Sequence, residues 1–209
     1  VPDLSLTLSD LSPEQVYLLL TGIVVPRPIA LVSSLDTKGI RNLAPFSYFQ
    51  LGGVNPPSVV FSPVTTKGRD KDTLSNIRQT GEYVINLVTA SMKDPMNLTS
   101  PTYRADVDEW LESGLTPIPS SLVKPERVLE SKVALECRLH QIVPHGIGEG
   151  SANYVIGEVL LAHLKEGLWD GKEVRGFSPI SRLGGADYLD LASLTTFTLP
   201  RPPLDVEKS

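Results

Sequence analysis

Residues 131–164 read SKVALECRLHQIVPHGIGEGSANYVIGEVLLAHL, and this stretch decides the fold class. Ser131 to Val143 alternates apolar and polar residues well enough for one long strand, Asn153 to Leu164 does so for a second, and Gly146 to Gly150 supplies turn residues between them. So short a link pairs the two strands antiparallel, because a parallel pair needs a crossover of about a dozen residues or more.

Moving upstream, Glu82 to Val88 reads as a strand and Ser58 to Ser62 as another after the Pro56-Pro57 punctuation. Ile29 to Ser34 is apolar and partly β-branched, Asp36 to Gly39 carries hairpin-turn chemistry, and Asn42 to Phe49 continues as an extended segment. Helices are few. Ser12, Pro13 and Gln15 mark a capped start ahead of the apolar Tyr17 to Leu20, and Lys71-Asp72-Thr73 opens a short helix with Leu74 and Ile77 on one face and Gly81 past its end. Met92 to Pro125 is a Pro-rich excursion with a helical segment around Val107 to Ser113. Repeated parallel crossovers need long helices that are missing, so the predicted class is mainly β: a closed antiparallel barrel of six or so strands with short peripheral helices. One domain is expected over residues 1–198, with the excursion at 92–125. The tail at 199–209, beginning Leu199-Pro200-Arg201-Pro202-Pro203, cannot form a regular helix and is expected to wrap a surface or stay mobile.

Composition narrows the function. A chain of 209 residues, 41% apolar and 21% charged, matches a soluble globular protein, and a net charge of −5 argues against a general nucleic-acid binder. The N-terminal stretch lacks an export signal and no apolar run is long enough to span a bilayer, so a cytoplasmic, membrane-free location is expected. Without that signal, Asn97-Leu98-Thr99 is a chance match to the glycosylation pattern. The single cysteine, Cys137, sits in strand-like surroundings and reads as a buried inert thiol. No metal is expected, since His140, His145 and His163 lie outside any ligand pattern. Gly146, Gly148 and Gly150 are misplaced for a dinucleotide loop, no Gly-x-Ser-x-Gly elbow occurs, and Trp110 and Trp169 read as packing residues.

Two stretches can carry chemistry. Thr65 to Thr73 combines hydroxyls, a glycine, Lys67, Arg69 and Lys71 with a helix start, which is a phosphate site in outline; it also reads as a solvated basic loop with Thr73 or Asp72 as an ordinary cap. Pro26 to Ser34 followed by Asn42 to Ser47 places small polar residues at the ends of apolar strands, where a flat ring can lie against backbone; strand-end polar caps would look the same. His163 reads either as a pocket-facing group or as a hydrogen-bonded barrel-end histidine.

In order along the chain, Pro26-Arg27-Pro28-Ile29, Asn42-Leu43-Ala44-Pro45-Phe46-Ser47, Lys71-Asp72-Thr73 with Asn76-Ile77, Val84 to Val88, Gly157-Glu158-Val159, and Arg182-Leu183-Gly184-Gly185 with Tyr188 resemble the flavin reductase-like, FMN-binding split-barrel family, in particular its flavoredoxin-type branch. The resemblance implies a six-stranded Greek-key split barrel that dimerises and binds one FMN per subunit near the dimer interface. Carried onto matching positions, it implies that Ser33, Ser34 and the stretch holding Asn42, Ala44, Pro45 and Ser47 contact the cofactor. Arg69, Lys71 and Thr73, with the neighbouring Asp72, would hold its phosphate, and Arg182 and Tyr188 would approach the open face of the ring.

The expected activity is an FMN-dependent oxidoreductase passing hydride or electrons from NADH or NADPH to flavin or another acceptor, a partner monooxygenase included. The alternative is a non-enzymatic FMN-binding electron carrier that docks to a partner enzyme. A regulatory or storage protein on the same barrel is a third possibility.

Overall fold

The computed structural model describes residues 3–66, 68–104 and 107–203. Lys67 of the candidate phosphate loop and residues 204–209 of the tail lie outside the described residues. The main sheet is built from β2 (Ala30–Leu35), β3 (Arg41–Phe46), β4 (Phe49–Val54), β5 (Pro57–Phe61), β6 (Glu82–Leu87), β9 (Val133–His145) and β10 (Ala152–Leu164). Between them come β7 (Pro117–Ile118) and β8 (Arg127–Val128), which pair with each other. β1 (Arg27–Pro28), β11 (Ile180–Arg182), β12 (Asp187–Asp190) and β13 (Thr195–Thr198) form a second sheet of four strands.

Seven strands pair antiparallel in the order β3-β2-β6-β9-β10-β5-β4. The two outermost, β3 and β4, are consecutive in the chain and separated only by residues 47 and 48, so the sheet must curl until its edges meet. No ladder joins those edges among the described residues, which makes this the split barrel that the family resemblance implies rather than the closed barrel read from the strand pattern alone. The count also differs from six. β4 becomes a separate strand because the chain bends at Ser47 and Tyr48, leaves its pairing with β2 and then pairs with β5.

Alternation along β2 sorts the core into two layers. Ala30 and Val32 face the barrel interior with Phe46, Phe61, Tyr83, Ile85 and Val155, while Leu31 faces an outer layer with Leu43, Met96, Trp110 and Ile180. The interior is plugged by α2 (Asp72–Thr80) through Leu74 and Ile77, and Gly81 closes that helix in the left-handed conformation at φ 73°. Gly157 is needed where β10 passes Tyr83, since a Cβ there would lie 1.8 Å from the tyrosine hydroxyl. α1 (Pro13–Ile23) starts with the expected capping box between Ser12 and Gln15 and rests Gly22 closely against Gly184. Cys137 is fully buried, and burial pushes its thiol up to about 12, against a smaller lowering by Tyr83.

The excursion contains α3 (Lys93–Leu98) and α4 (Glu109–Ser113), the latter within the helical segment expected near 107–113. Buried sheet side chains hold its return limb by the backbone. Ser33 Oγ donates to the Glu126 carbonyl, Asn86 Oδ1 accepts from Val128 N–H at 2.9 Å, and Glu82 accepts from Lys124 N–H at 2.9 Å. Glu136 accepts from the N–H groups of Ser121, Leu122 and Val123 at 2.7, 2.6 and 3.2 Å.

Candidate functional site

A cavity of about 350 Å³ opens where the split edge of the barrel meets α1, α2, the excursion and the second sheet. That volume lies within the range of small-molecule sites. Its floor follows from the topology: β3 brings Asn42, Ala44 and Pro45 to the split edge, and the bend into β4 adds Ser47 and Tyr48.

The start of α2 forms one end. Lys71 occupies the cap position, yet among the described residues no side chain caps the helix, so the first-turn N–H groups are left to another partner. Thr73 is buried and accepts a 2.8 Å hydrogen bond from Asn42 Nδ2, which orients its hydroxyl. Lys71 Nζ donates to Thr102 Oγ1 at 2.9 Å, and burial lowers its pKa, with Arg201 and Arg69 adding to the lowering and Asp72 opposing it. Ser62 Oγ, just past the end of β5, is buried at 7% exposure and has no hydrogen-bond partner among the described residues, although its residue lines this cavity. A buried unpaired hydroxyl beside an uncapped helix start fits a polar ligand that supplies both.

Arg27, Arg182 and Tyr188 stand on the second sheet. Arg27 donates to the Thr21 and Val24 carbonyls at 2.7 and 2.6 Å and to Leu183 at 2.8 Å, tying the end of α1 to the sheet. Its Nε is buried without a partner among the described residues, and burial lowers its pKa, with Arg182 adding to that effect. The Arg182 guanidinium lies 4.6 Å from the Tyr188 ring centroid and donates to that hydroxyl and to the Gly185 carbonyl.

Of the residues singled out in the sequence, Asn42, Ala44, Pro45, Ser47, Lys71, Asp72, Thr73, Arg182 and Tyr188 line this one cavity. Ser33, Ser34, Arg69 and His163 do not line it. Ser33 holds the excursion. Ser34 accepts from Asn76 at 3.2 Å and, more distantly, from Asn42 at 3.5 Å, so it stands behind the lining. Arg69 is exposed, its backbone paired with Thr66. His163 lies on β10 and bonds Glu136, and His145 is exposed beside Tyr154.

Sequence reasoning missed Arg27 as a lining residue, along with Ser62, Glu109 and Arg201. Glu109 accepts from Leu43 N–H at 3.2 Å and is 7% exposed. Burial raises its carboxyl to about 7; the N–H groups of Glu109 and Leu43 oppose the rise, and Asp72 and Asp108 add to it. A pattern such as Val107-Asp108-Glu109-Trp110 carries no mark of this, because the environment is made only when α4 packs beside β3.

Comparison with known proteins places the chain. The flavin reductase like domain matches residues 22–178. The YwrF protein of Bacillus subtilis is 34% identical over 199 residues, covering 92% of this chain and 96% of its own. Nitrilotriacetate monooxygenase component B from Bacillus cereus superposes with a TM-score of 0.87 at 32% identity, over 91% of this chain and 96% of that one. The 2-nitrobenzoate 2-nitroreductase NbaA of Pseudomonas fluorescens gives 0.81 at 32% identity, over 96% and 100%. With the fold, the cavity and these matches in agreement, the chain belongs to the flavin reductase like family and is a split-barrel flavoprotein of oxidoreductase type.

Proposed function

We propose that the protein is an FMN-dependent oxidoreductase of flavin reductase type, passing hydride or electrons from NADH or NADPH to free flavin or another acceptor. The observation that carries this reading is the uncapped start of α2, where Lys71 and Thr73 meet a cavity that also holds the unpartnered Ser62 hydroxyl. A terminal phosphate suits such a helix end, since free N–H groups, the helix dipole and a lysine all favour an anion. Asn42 orients Thr73 toward that task, with Ser34 behind it. Asp72 contributes through its backbone at the first helical position, and Arg69 adds charge from the adjoining exposed loop. Ala44, Pro45 and Ser47 offer a flat wall for a ring, and Arg182 and Tyr188 stand on the opposite sheet, where a second substrate would enter.

When bound, FMN supplies the hydride and electron relay, and the chain supplies position and electrostatics. The name of the Bacillus cereus neighbour, a monooxygenase component, supports reduced flavin being handed to a partner oxygenase. A homodimer belongs to the same reading. α1 exposes Leu18, Ile23 and Val24, and the edge strand β4 exposes Leu51 and Val54, an apolar surface beside the cavity that a twofold copy would cover.

The test is a FMN titration of Lys71→Ala/Thr73→Ala followed by flavin fluorescence. The folded double variant is expected to bind FMN about a hundredfold more weakly, from the loss of a charged and a neutral hydrogen-bonding group. Unchanged affinity overturns the phosphate assignment. Anaerobic addition of NADH and then NADPH to the FMN-loaded protein tests the activity: bleaching of the flavin bands identifies the donor, and bands that persist with both defeat the reductase reading.

A further inference from the structure

Glu109 is a buried carboxyl in a cavity whose other charged lining residues are Asp72 and four cations, Arg27, Lys71, Arg182 and Arg201, and the family-level function gives it no task. It stands between two spaces. The main cavity lies on one side, and on the other is a small cavity of about 60 Å³ in which Asp36, Arg41, Asn42, Asp72, Asn76 and Glu109 join the apolar Ile40 and Val107. Asn42 and Leu43 are consecutive on β3. The Asn42 side chain holds Thr73, while the Leu43 N–H holds Glu109 Oε2, so the same two residues fix the carboxyl beside the helix start assigned above to a phosphate. Apart from the Leu43 N–H, only the carboxyl's own backbone N–H opposes the rise of its pKa, and no basic side chain pairs with it among the described residues. The charged groups that act on it are Asp72 from α2 and Asp108 from its own segment, while Lys71 and Arg201 line the same cavity. Asp108 is ion-paired with Arg41, so it adds little net charge.

A carboxylate and a phosphate dianion cannot share this space without strong repulsion, whereas a carboxylic acid can donate to a phosphate oxygen. We propose that Glu109 takes up a proton from solvent when a phosphate occupies the start of α2 and donates that proton in a hydrogen bond to it, so that FMN binding is coupled to proton uptake. The inference rests on the phosphate assignment. Geometry puts the carboxyl at the site, and burial already holds its pKa near 7 before any anion arrives. A bound dianion raises it further, and the small cavity, large enough to admit water, gives the proton a route.

The experiment is calorimetric titration of the full chain with FMN at pH 7.5 in buffers of different ionisation enthalpy, which counts protons directly. At that pH the phosphate of free FMN is already mostly a dianion, its second pKa being about 6. The native protein is expected to take up about half a proton per FMN, and its affinity to fall about 10- to 25-fold between pH 6.5 and 8.5. Glu109→Gln, whose amide mimics the neutral acid, is expected to take up almost none and to hold its affinity across that range. Residual uptake in Glu109→Gln equal to that of the native protein would assign the proton to Lys71 and overturn the proposal. Riboflavin, lacking the phosphate, supplies a control needing no variant: equal uptake with riboflavin and FMN also overturns it. If FMN binds tightly without uptake, the Glu109 proposal fails and the phosphate assignment survives; if FMN does not bind, both fail.

Discussion

Glu136 and Glu109 are both buried carboxyls, and they are treated in opposite ways. Glu136 is fully buried on β9 and surrounded by donors: the N–H groups of Ser121, Leu122 and Val123, and the imidazole of His163. Burial alone would raise its pKa, but the Ser121 N–H, the His163 hydrogen bond and the Leu122 N–H outweigh that and hold it below the usual range. Glu109 receives one such bond from another residue, at 3.2 Å, and sits near 7. A buried charge whose donors are supplied by the fold is architecture. One left short of donors at a cavity wall is waiting for a ligand.

The contrast breaks first, if it breaks, at Glu136→Ala. That change strands buried N–H groups and removes the partner of His163, so a loss of about 3–5 kcal/mol is expected by urea unfolding at pH 7. The native contribution of Glu136 is present above the unfolded carboxyl value and disappears as pH falls through its lowered folded value. A loss below about 1 kcal/mol would remove the distinction.

Glu109→Gln should move stability the other way in the ligand-free protein. The folded chain keeps this proton up to about pH 7 while the unfolded chain releases it near 4.5, so native stability falls as pH rises across that interval. The variant escapes the fall. It should be more stable by about 1–3 kcal/mol at pH 8 and equal to the native protein at pH 4, by thermal melting. Lower stability at pH 8 would make Glu109 a structural group like Glu136. The smallest expected effect, about 1–2 kcal/mol, belongs to His163→Ala, which removes one of several Glu136 partners. FMN affinity should stay unchanged, and a weakened affinity would return His163 to the substrate side.

What could be read from the sequence follows the range of the signal. The hairpin of β9 and β10 was legible because its period-two pattern persists over many residues, and the start of α2 because Lys71-Asp72-Thr73 and Gly81 bracket a short apolar face. Past Phe49 the sequence gives no sign of β4, since Phe49–Val54 contains two glycines that hide its alternation. The second sheet escaped notice because strands of two to four residues are too short to show a period. Ser33 looked like a cofactor contact because small polar residues at strand ends serve both purposes. Only the tertiary structure shows the Glu126 carbonyl above it. Asn97 is similar: its side chain is buried and donates to the Pro200 carbonyl, pinning the tail that carries Arg201 to the cavity.

The return limb of the excursion is gripped by its peptide groups as well as by the buried side chains of Val123 and Val128: Ser121, Leu122, Val123, Lys124 and Val128 offer N–H, and Glu126 offers a carbonyl. Every amino acid has that carbonyl, and every one except proline has that N–H. The sheet therefore prescribes the path of this segment while leaving much of its spelling open. Substitutions at its exposed positions can accumulate while the path of the limb over the sheet stays the same.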